Sequence, residues 1–226
     1  MEKVLVGGYM PASFLDWDGH VTAVIFTNGC NFRCPYCHNS GLVKSETDME
    51  ELDAVLKDIK RRAAFLDGVT ISGGEPCMWP HLLSTMREIK KMGLEIKLDT
   101  NGSFYEVLKS VLDEGLADHV AMDVKAPLED EALERITKNG IGAERLSRSI
   151  ELIKSKAPSY EFRTTFSPSY LSEAELLKIR EDLSDDSHWI VQCFKPNNCL
   201  DEEFLELKAV DEEYVKKLVP GVKVRG

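Results

Sequence analysis

Three cysteines, Cys30, Cys34 and Cys37, stand within eight residues in the spacing CxxxCxxC. Thiolates suit iron–sulfur clusters, and a cubane normally takes four of them. Three from one loop leave one iron without a protein ligand. An open iron can bind a chelate, as an open position does in a catalytic zinc site. Phe32, Pro35 and Tyr36 lie between the cysteines and can shield such a cluster from water, which bears on its potential. The competing reading is a structural zinc site with His38 as fourth ligand. Zinc ligands usually come as two separated pairs, and a histidine directly after Cys37 strains tetrahedral closure. The cluster is the better reading.

Three further segments could serve chemistry. In Ser72-Gly73-Gly74-Glu75-Pro76, adjacent glycines permit positive φ and close approach of the backbone to a ligand; an ordinary turn would use them too. Asp99-Thr100-Asn101-Gly102 is built of turn formers, and Asp123 with Lys125 could be a surface pair. Two carboxylates at the ends of neighbouring parallel strands repel, however, unless a cation lies between them. Arg163, inside a strand, needs a partner if buried, and a structural salt bridge would supply one.

These segments need strands to carry them. Residues 21–27 are a near-continuous apolar run, the pattern of a strand buried on both faces. Residues 69–72, 94–98, 119–124, 160–166 and 188–194 read as five more strands. Leu52, Val55, Leu56, Ile59 and Ala63 follow helical spacing behind a Thr47-Asp48 cap. Leu82, Leu83, Met86 and Ile89 mark a second helix closed by Gly93, and residues 104–112 a short third. A helical region then runs to about Lys156. Ser172 caps a helix through Leu183, and residues 211–218 read as a terminal helix. Consecutive parallel strands need crossover connections, so six strands alternating with helices imply a parallel sheet. Six units fall short of the eight that close a barrel. The expected fold is α/β, an incomplete (β/α)6 TIM-like barrel with parallel strands, open on one side. Residues 1–226 read as one domain, with a core of about 13–194 and a C-terminal extension of about 195–226. Ligands of such sheets sit outside the carboxyl ends of the strands. The cysteine loop, the glycine pair, Asp99-Thr100-Asn101-Gly102 and Asp123-Val124-Lys125 all follow strand ends, so all four are expected on one face.

CxxxCxxC with an aromatic residue before the last cysteine, after a first strand, resembles the signature of the radical S-adenosylmethionine (SAM) superfamily over about residues 13–194. The resemblance implies one [4Fe–4S] cluster on Cys30, Cys34 and Cys37, with SAM chelating the open iron. Reductive cleavage of SAM would give methionine and a 5′-deoxyadenosyl radical, the protein supplying orientation and excluding side reactions. Gly73-Gly74-Glu75 is similar to the family's GGE motif, whose backbone meets the SAM amino group. LDTNG at 98–102 followed by MDVK at 122–125 resembles pyruvate formate-lyase activating enzyme and its relatives. That likeness implies Asp99 and Asp123 as ligands of a monovalent cation beside the SAM carboxylate, with Lys125 and Arg163 facing SAM. Tyr36 and Asn101 join the implied cofactor contacts.

The run SFLDWDGH at 13–20, followed by AVIFTNGCNFRCPYCHN, most resembles the activating proteins of anaerobic ribonucleoside-triphosphate reductase. Cys37-His38-Asn39, AMDVK at 121–125 and EFRTT at 161–165 are further matches. They imply removal of the α-hydrogen of one glycine in a partner glycyl radical enzyme, with electrons from a donor such as flavodoxin or ferredoxin. No side chain need act as general acid or base. The open side of a partial barrel would admit a partner's loop. Residues 15–20 and the segment after Phe194 are candidate docking surfaces, unless they pack against the barrel ends.

The composition narrows the field. A net charge of −11 disfavours nonspecific binding to nucleic acid. No run of about eighteen apolar residues is present to span a bilayer, and the first residues lack the pattern of a secretory leader; the expected address is the cytoplasm. Six cysteines point to metal or catalysis rather than a disulfide framework. A second cluster on Cys77, Cys193 and Cys199 would need another ligand, and residues 41–69 hold no cysteine, so a ferredoxin-like insert is missing there. Small buried hydrophobes is the better reading of those three. Two rivals remain. One is a radical SAM enzyme acting on a small molecule, nucleobase or peptide, similar to 7-carboxy-7-deazaguanine synthases. It would need polar anchors inside the barrel, where Val69-Thr70-Ile71 offers few. The other is a noncatalytic iron–sulfur or zinc module for binding or electron transfer, which leaves GGEP and the aspartates without a task.

Overall fold

The computed structural model describes residues 3–226; Met1 and Glu2, part of the expected 1–226 unit, lie outside the described residues. In chain order the strands are β1 (Leu5–Val6), β2 (Gly8–Ser13), β3 (Thr22–Thr27), β4 (Glu50–Glu51), β5 (Gly68–Gly73), β6 (Glu95–Thr100), β7 (His119–Asp123), β8 (Tyr160–Phe166), β9 (Trp189–Cys193) and β10 (Lys223–Arg225). Eight of them form one sheet in the order β2-β3-β5-β6-β7-β8-β9-β10. The six expected strands, β3 and β5 to β9, pair in parallel with their sequence neighbours. The two edges differ from expectation. β2 pairs antiparallel to β3, and β10 adds a further parallel strand beside β9. Neither carries an apolar run, because an edge strand needs only one partner and tolerates Pro11. No ladder joins the edges β2 and β10 among the described residues, so the sheet is an open, partial TIM-like barrel.

The helices are α1 (Ser40–Lys44), α2 (Leu52–Arg62), α3 (Leu82–Lys91), α4 (Tyr105–Asp113), α5 (Asp130–Thr137), α6 (Ala143–Lys156), α7 (Glu173–Asp182) and α8 (Glu212–Leu218). They cross over the outside of the sheet, as parallel strands require. Ile59 of α2, Met86 and Ile89 of α3 and Ile153 of α6 are fully buried against Ile71, Ile96, Leu98 and Phe162 of the strands. Each such side chain contributes roughly 1.5–3 kcal/mol by leaving water. Ser172 caps α7 in a reciprocal capping box with Glu175, as its spacing predicts. Gly93 adopts φ +79° after α3. The Thr47-Asp48 cap is not formed. Helix α2 starts at Leu52 because Glu50–Glu51 pairs with β1, and the Thr47 hydroxyl donates instead to Asn28 Oδ1 at 3.1 Å.

Alternation along the strands sends every second residue inward. Ile96 and Leu98 meet the helices while Lys97 and Asp99 point into the barrel; Phe162 and Phe166 do the same opposite Glu161, Arg163 and Thr165. The loop between β2 and β3 floors this interior. Trp17 is buried and stacks on His20 at 4.2 Å between ring centres. The Asp16 carbonyl accepts Lys97 Nζ at 2.5 Å. Asp18 pairs with Lys223 at 2.6 Å and Arg225 at 2.8 Å, tying the β2–β3 loop to the opposite edge strand. Of the expected docking stretch 15–20, Leu15 stands clear at 90% exposure, next to Phe14 at 68%; Asp18 and Gly19 are also exposed, while Asp16 and Trp17 serve the barrel itself and Asp18 ties it to β10.

Candidate active site

Residues 28–39 lack regular structure, so hydrogen bonds must shape them. Gly29 turns the chain at φ +81°, and its N–H is held by the Leu42 carbonyl at 2.9 Å. Arg33 N–H donates to Thr137, and Asn139 Nδ2 donates to the Asn31 carbonyl at 2.9 Å. Asn31 Nδ2 reaches Ser103 at 3.0 Å, and Asn101 Nδ2 returns to Asn31 Oδ1 at 3.0 Å. Cys30 Sγ accepts the Phe32 N–H at 3.3 Å and faces Asn101 Nδ2 at 3.9 Å. Cys34 is buried, and Cys30 and Cys37 are half-buried. Burial pushes the Cys30 thiol up to about 11 and the Cys34 thiol to about 12. These sulfurs become thiolates only beside a strong cationic centre, and a metal centre is one. Among the described residues, no three His, Cys, Asp or Glu side chains converge on one point as a single ion requires. A cubane, which gives each thiolate its own iron, does not require it. His38 is otherwise engaged, its Nε2 lying 2.9 Å from the Lys195 carbonyl.

The glycine turn presses directly against this loop. Gly73 has φ +116°, and a Cβ on Gly74 would lie 1.9 Å from the Gly29 carbonyl oxygen. Gly74 N–H donates to Thr27 at 2.9 Å and Glu75 N–H to Gly29 at 2.8 Å. Asn39 Nδ2 closes the other side on the Gly73 carbonyl at 2.8 Å. Glu75 itself is turned away from the cavity and 1% exposed. Its carboxylate takes Thr100 Oγ1 and the Cys77 and Asn101 N–H groups. It holds the Asn101 turn in place.

Arg163 lies between the two aspartates. Its Nε donates to Asp123 Oδ1 at 2.9 Å, and its Nη1 is 3.3 Å from Asp99 Oδ2. Lys125 Nζ is 3.1 Å from Asp123. Burial opposes ionisation of Asp123, but Arg163 and Lys125 outweigh it and hold its pKa at about 2. Asp99 also accepts the Ser72 hydroxyl at 2.9 Å.

All four segments meet at one cavity of about 440 Å³ on the carboxyl face of the strands, within the usual range for a small-molecule site. Cys30, Cys34, Tyr36, Cys37, Gly73 and Gly74 line one side. Asp99, Asn101, Asp123, Lys125 and Arg163 line another. Tyr36 stacks on Tyr170 at 4.3 Å, and its buried hydroxyl has no oxygen or nitrogen partner. Orphaned donors and thiols of this kind fit a bound cluster and cofactor.

The family described as the radical SAM superfamily matches residues 24–179, more than half of the chain. The chain belongs to the radical SAM superfamily. Radical SAM proteins typically act on SAM through a [4Fe–4S] cluster. A Methanocaldococcus jannaschii protein with the provisional name glycyl-radical enzyme activating enzyme is 33% identical over 220 residues, 96% of this chain and 90% of its own length. The pyruvate formate-lyase-activating enzyme of Clostridium pasteurianum is 33% identical over 129 residues, covering 53% of this chain and 52% of that enzyme. Among solved structures, Streptococcus suis SuiB bound to precursor peptide SuiA superposes with a TM-score of 0.61 at 14% identity. It covers 90% of this chain and 48% of SuiB, a likeness of fold alone. No helix among the described residues is long and apolar enough to cross a membrane.

Within this radical SAM fold, every expected site residue except Glu75 reaches the cavity. Sequence reasoning missed Asp16, Thr165 and Gln192, which also line it, and Lys97 and Glu161 beneath them. The period of two within EFRTT and EIKLDT carries that signal. It also corrects the expectation that the barrel interior offers few polar anchors: Val69 and Ile71 face the helices, whereas the inward positions of β6 and β8 are charged. Cys77, Cys193 and Cys199 are all buried, and Cys77 Sγ accepts the Thr100 hydroxyl at 3.6 Å.

Proposed function

We propose that this chain activates a glycyl radical enzyme, of the kind that serves anaerobic ribonucleotide reduction. We take residues 1–226 to work as one unit, a core of about 13–194 with an extension of about 195–226. The observation that carries this reading is the match to the Methanocaldococcus jannaschii relative along 96% of this chain and 90% of that one. The two share a compact outline, and only a partial match ties this chain to the longer activating enzymes.

Cys30, Cys34 and Cys37 would hold three irons of a [4Fe–4S] cluster. The main chain of Gly73 and Gly74, with Tyr36, Asn101, Lys125 and Arg163, would hold SAM, while Glu75 keeps Asn101 in position. Cluster and SAM, when bound, supply one-electron reductive cleavage and hydrogen-atom abstraction. The barrel supplies orientation and a wall against water. Its charged interior groups already pair with one another, so a charged small substrate would have to break an ion pair. Thr165 and Gln192 offer uncharged donors and acceptors, which suit the backbone of a partner's glycine loop. Electrons would come from a flavodoxin- or ferredoxin-type donor in the cytoplasm.

The test is anaerobic reconstitution with iron and sulfide, then SAM and dithionite, with 5′-deoxyadenosine measured by mass spectrometry. Adding the glycyl radical enzyme of the same genome should give the doublet of a glycyl radical in electron paramagnetic resonance. Cys37→Ala should lose both signals. Deoxyadenosine without a glycyl radical on any such partner would favour the small-molecule reading, and zinc in place of a cluster would end both.

A further inference from the structure

The monovalent cation implied between Asp99 and Asp123 does not fit this site, because the Arg163 guanidinium spans the two carboxylates. The remaining oxygen, Asp99 Oδ1, is buried and has no hydrogen bond. It faces the ammonium of Lys97 at 3.5 Å. That ammonium also lies 2.5 Å from the Asp16 main-chain oxygen and 3.7 Å from Glu161 Oε1. The Lys97 side chain is 5% exposed. A main-chain carbonyl and two carboxylates form an all-oxygen shell of the type that hard metal cations take.

We propose that Lys97 is the resident cation of this oxygen shell, which adjoins the place Arg163 fills between Asp99 and Asp123: a covalently tethered substitute for a monovalent metal ion. Three carboxylates of the network, Asp99, Asp123 and Glu161, meet three cations, Lys97, Lys125 and Arg163. Arg225, which also reaches Glu161, pairs with Asp18, an acid that Lys223 shares. A metal ion added here would meet two buried positive charges at close range, Lys97 and Arg163. The chain thereby carries its counter-charge at fixed occupancy, independent of the salt around it.

The first test needs neither cluster nor SAM. Thermal unfolding of the full chain is compared in potassium, sodium and choline chloride at equal ionic strength. The wild type should give melting temperatures within about 1 °C of one another. Lys97→Met should melt several degrees lower in choline and recover in potassium or sodium, as an emptied oxygen shell accepts the metal. A wild type stabilised by potassium or sodium over choline overturns the proposal, as does a Lys97→Met protein with no cation response. Should that variant not fold, the wild type still decides, through SAM affinity after reconstitution. Its dissociation constant should agree within about twofold between potassium and choline, and a tenfold weakening in choline overturns the proposal. This second arm alone rests on the proposed function: a chain that binds no SAM in any salt sinks that function and leaves the unfolding result standing.

Discussion

The Glu75 carboxylate accepts the main-chain N–H of Asn101 at 2.7 Å. Its other oxygen takes the Thr100 hydroxyl at 2.7 Å and the Cys77 N–H at 3.0 Å. Burial pushes this carboxyl's pKa up, and the donors pull it back. One acid thus fastens the turn after β6 to the turn after β5, and so sets the distance between two walls of the cavity.

Replacing that acid tests the fastening. An amide has one acceptor oxygen where the carboxylate has two, so Glu75→Gln leaves an N–H facing an NH₂ group in a dry site. The expected cost is about 2–3 kcal/mol of stability, read by urea unfolding of the cluster-free chain. A loss under about 0.5 kcal/mol would show that the three hydrogen bonds do not hold the turns.

Gly74 should be intolerant of any side chain. A Cβ there would strike the Gly29 carbonyl, and main-chain atoms cannot swing aside, so the cysteine loop would have to retreat. Gly74→Ala should lower iron bound per chain after reconstitution several-fold. Gly93→Ala makes the control, since its φ is +79° but nothing lies within 4 Å. It should cost about 1 kcal/mol of stability and leave iron content unchanged. Equal iron in both variants would contradict the close approach of the two loops.

His119 sets an acid limit. Burial lowers its pKa to about 4, against about 6.5 in an unfolded chain. Between those values the unfolded chain binds a proton that the folded chain does not, so stability falls as pH drops through that window. By pH 5.5 this group alone removes about 1.4 kcal/mol. His119→Asn keeps a partner for the Ser159 hydroxyl, which Nδ1 now meets at 2.9 Å. The stability lost between pH 8 and 5.5 should be smaller in the variant by about 1–1.5 kcal/mol. Identical losses would assign the acid limit to other groups.

The central sheet was legible because its strands are apolar on the face that meets the helices, and that face needs bulk that Ile71, Leu98 and Phe162 announce. The edge strands were not. GYMPAS holds a proline and half-exposed side chains, and its place is fixed by a ladder with β3 that local composition does not encode. The cysteine loop and glycine turn were legible because their chemistry is rare at that spacing. Glu75 was read as part of a motif whose backbone meets a ligand; nothing in GGEP says that its side chain turns into the protein to hold the Asn101 turn. Lys97 went unremarked because a lysine in a strand usually faces water; its alternation with Ile96 and Leu98, which meet the helices, turns it inward.

The latch between Asp18 and Arg225 joins residues 207 positions apart, and this gives the molecule a history as well as a shape. Synthesis runs at roughly 5–20 residues per second, so on the order of ten seconds or more separates Cys37 from the strand that latches the floor beneath it. Through that interval the loop that floors the chamber is already made but has no latch. Oxygen, stray zinc and iron all have access before closure. The vulnerability of this protein is one of timing: its most reactive residues are made early, and the latch on their shelter long after them.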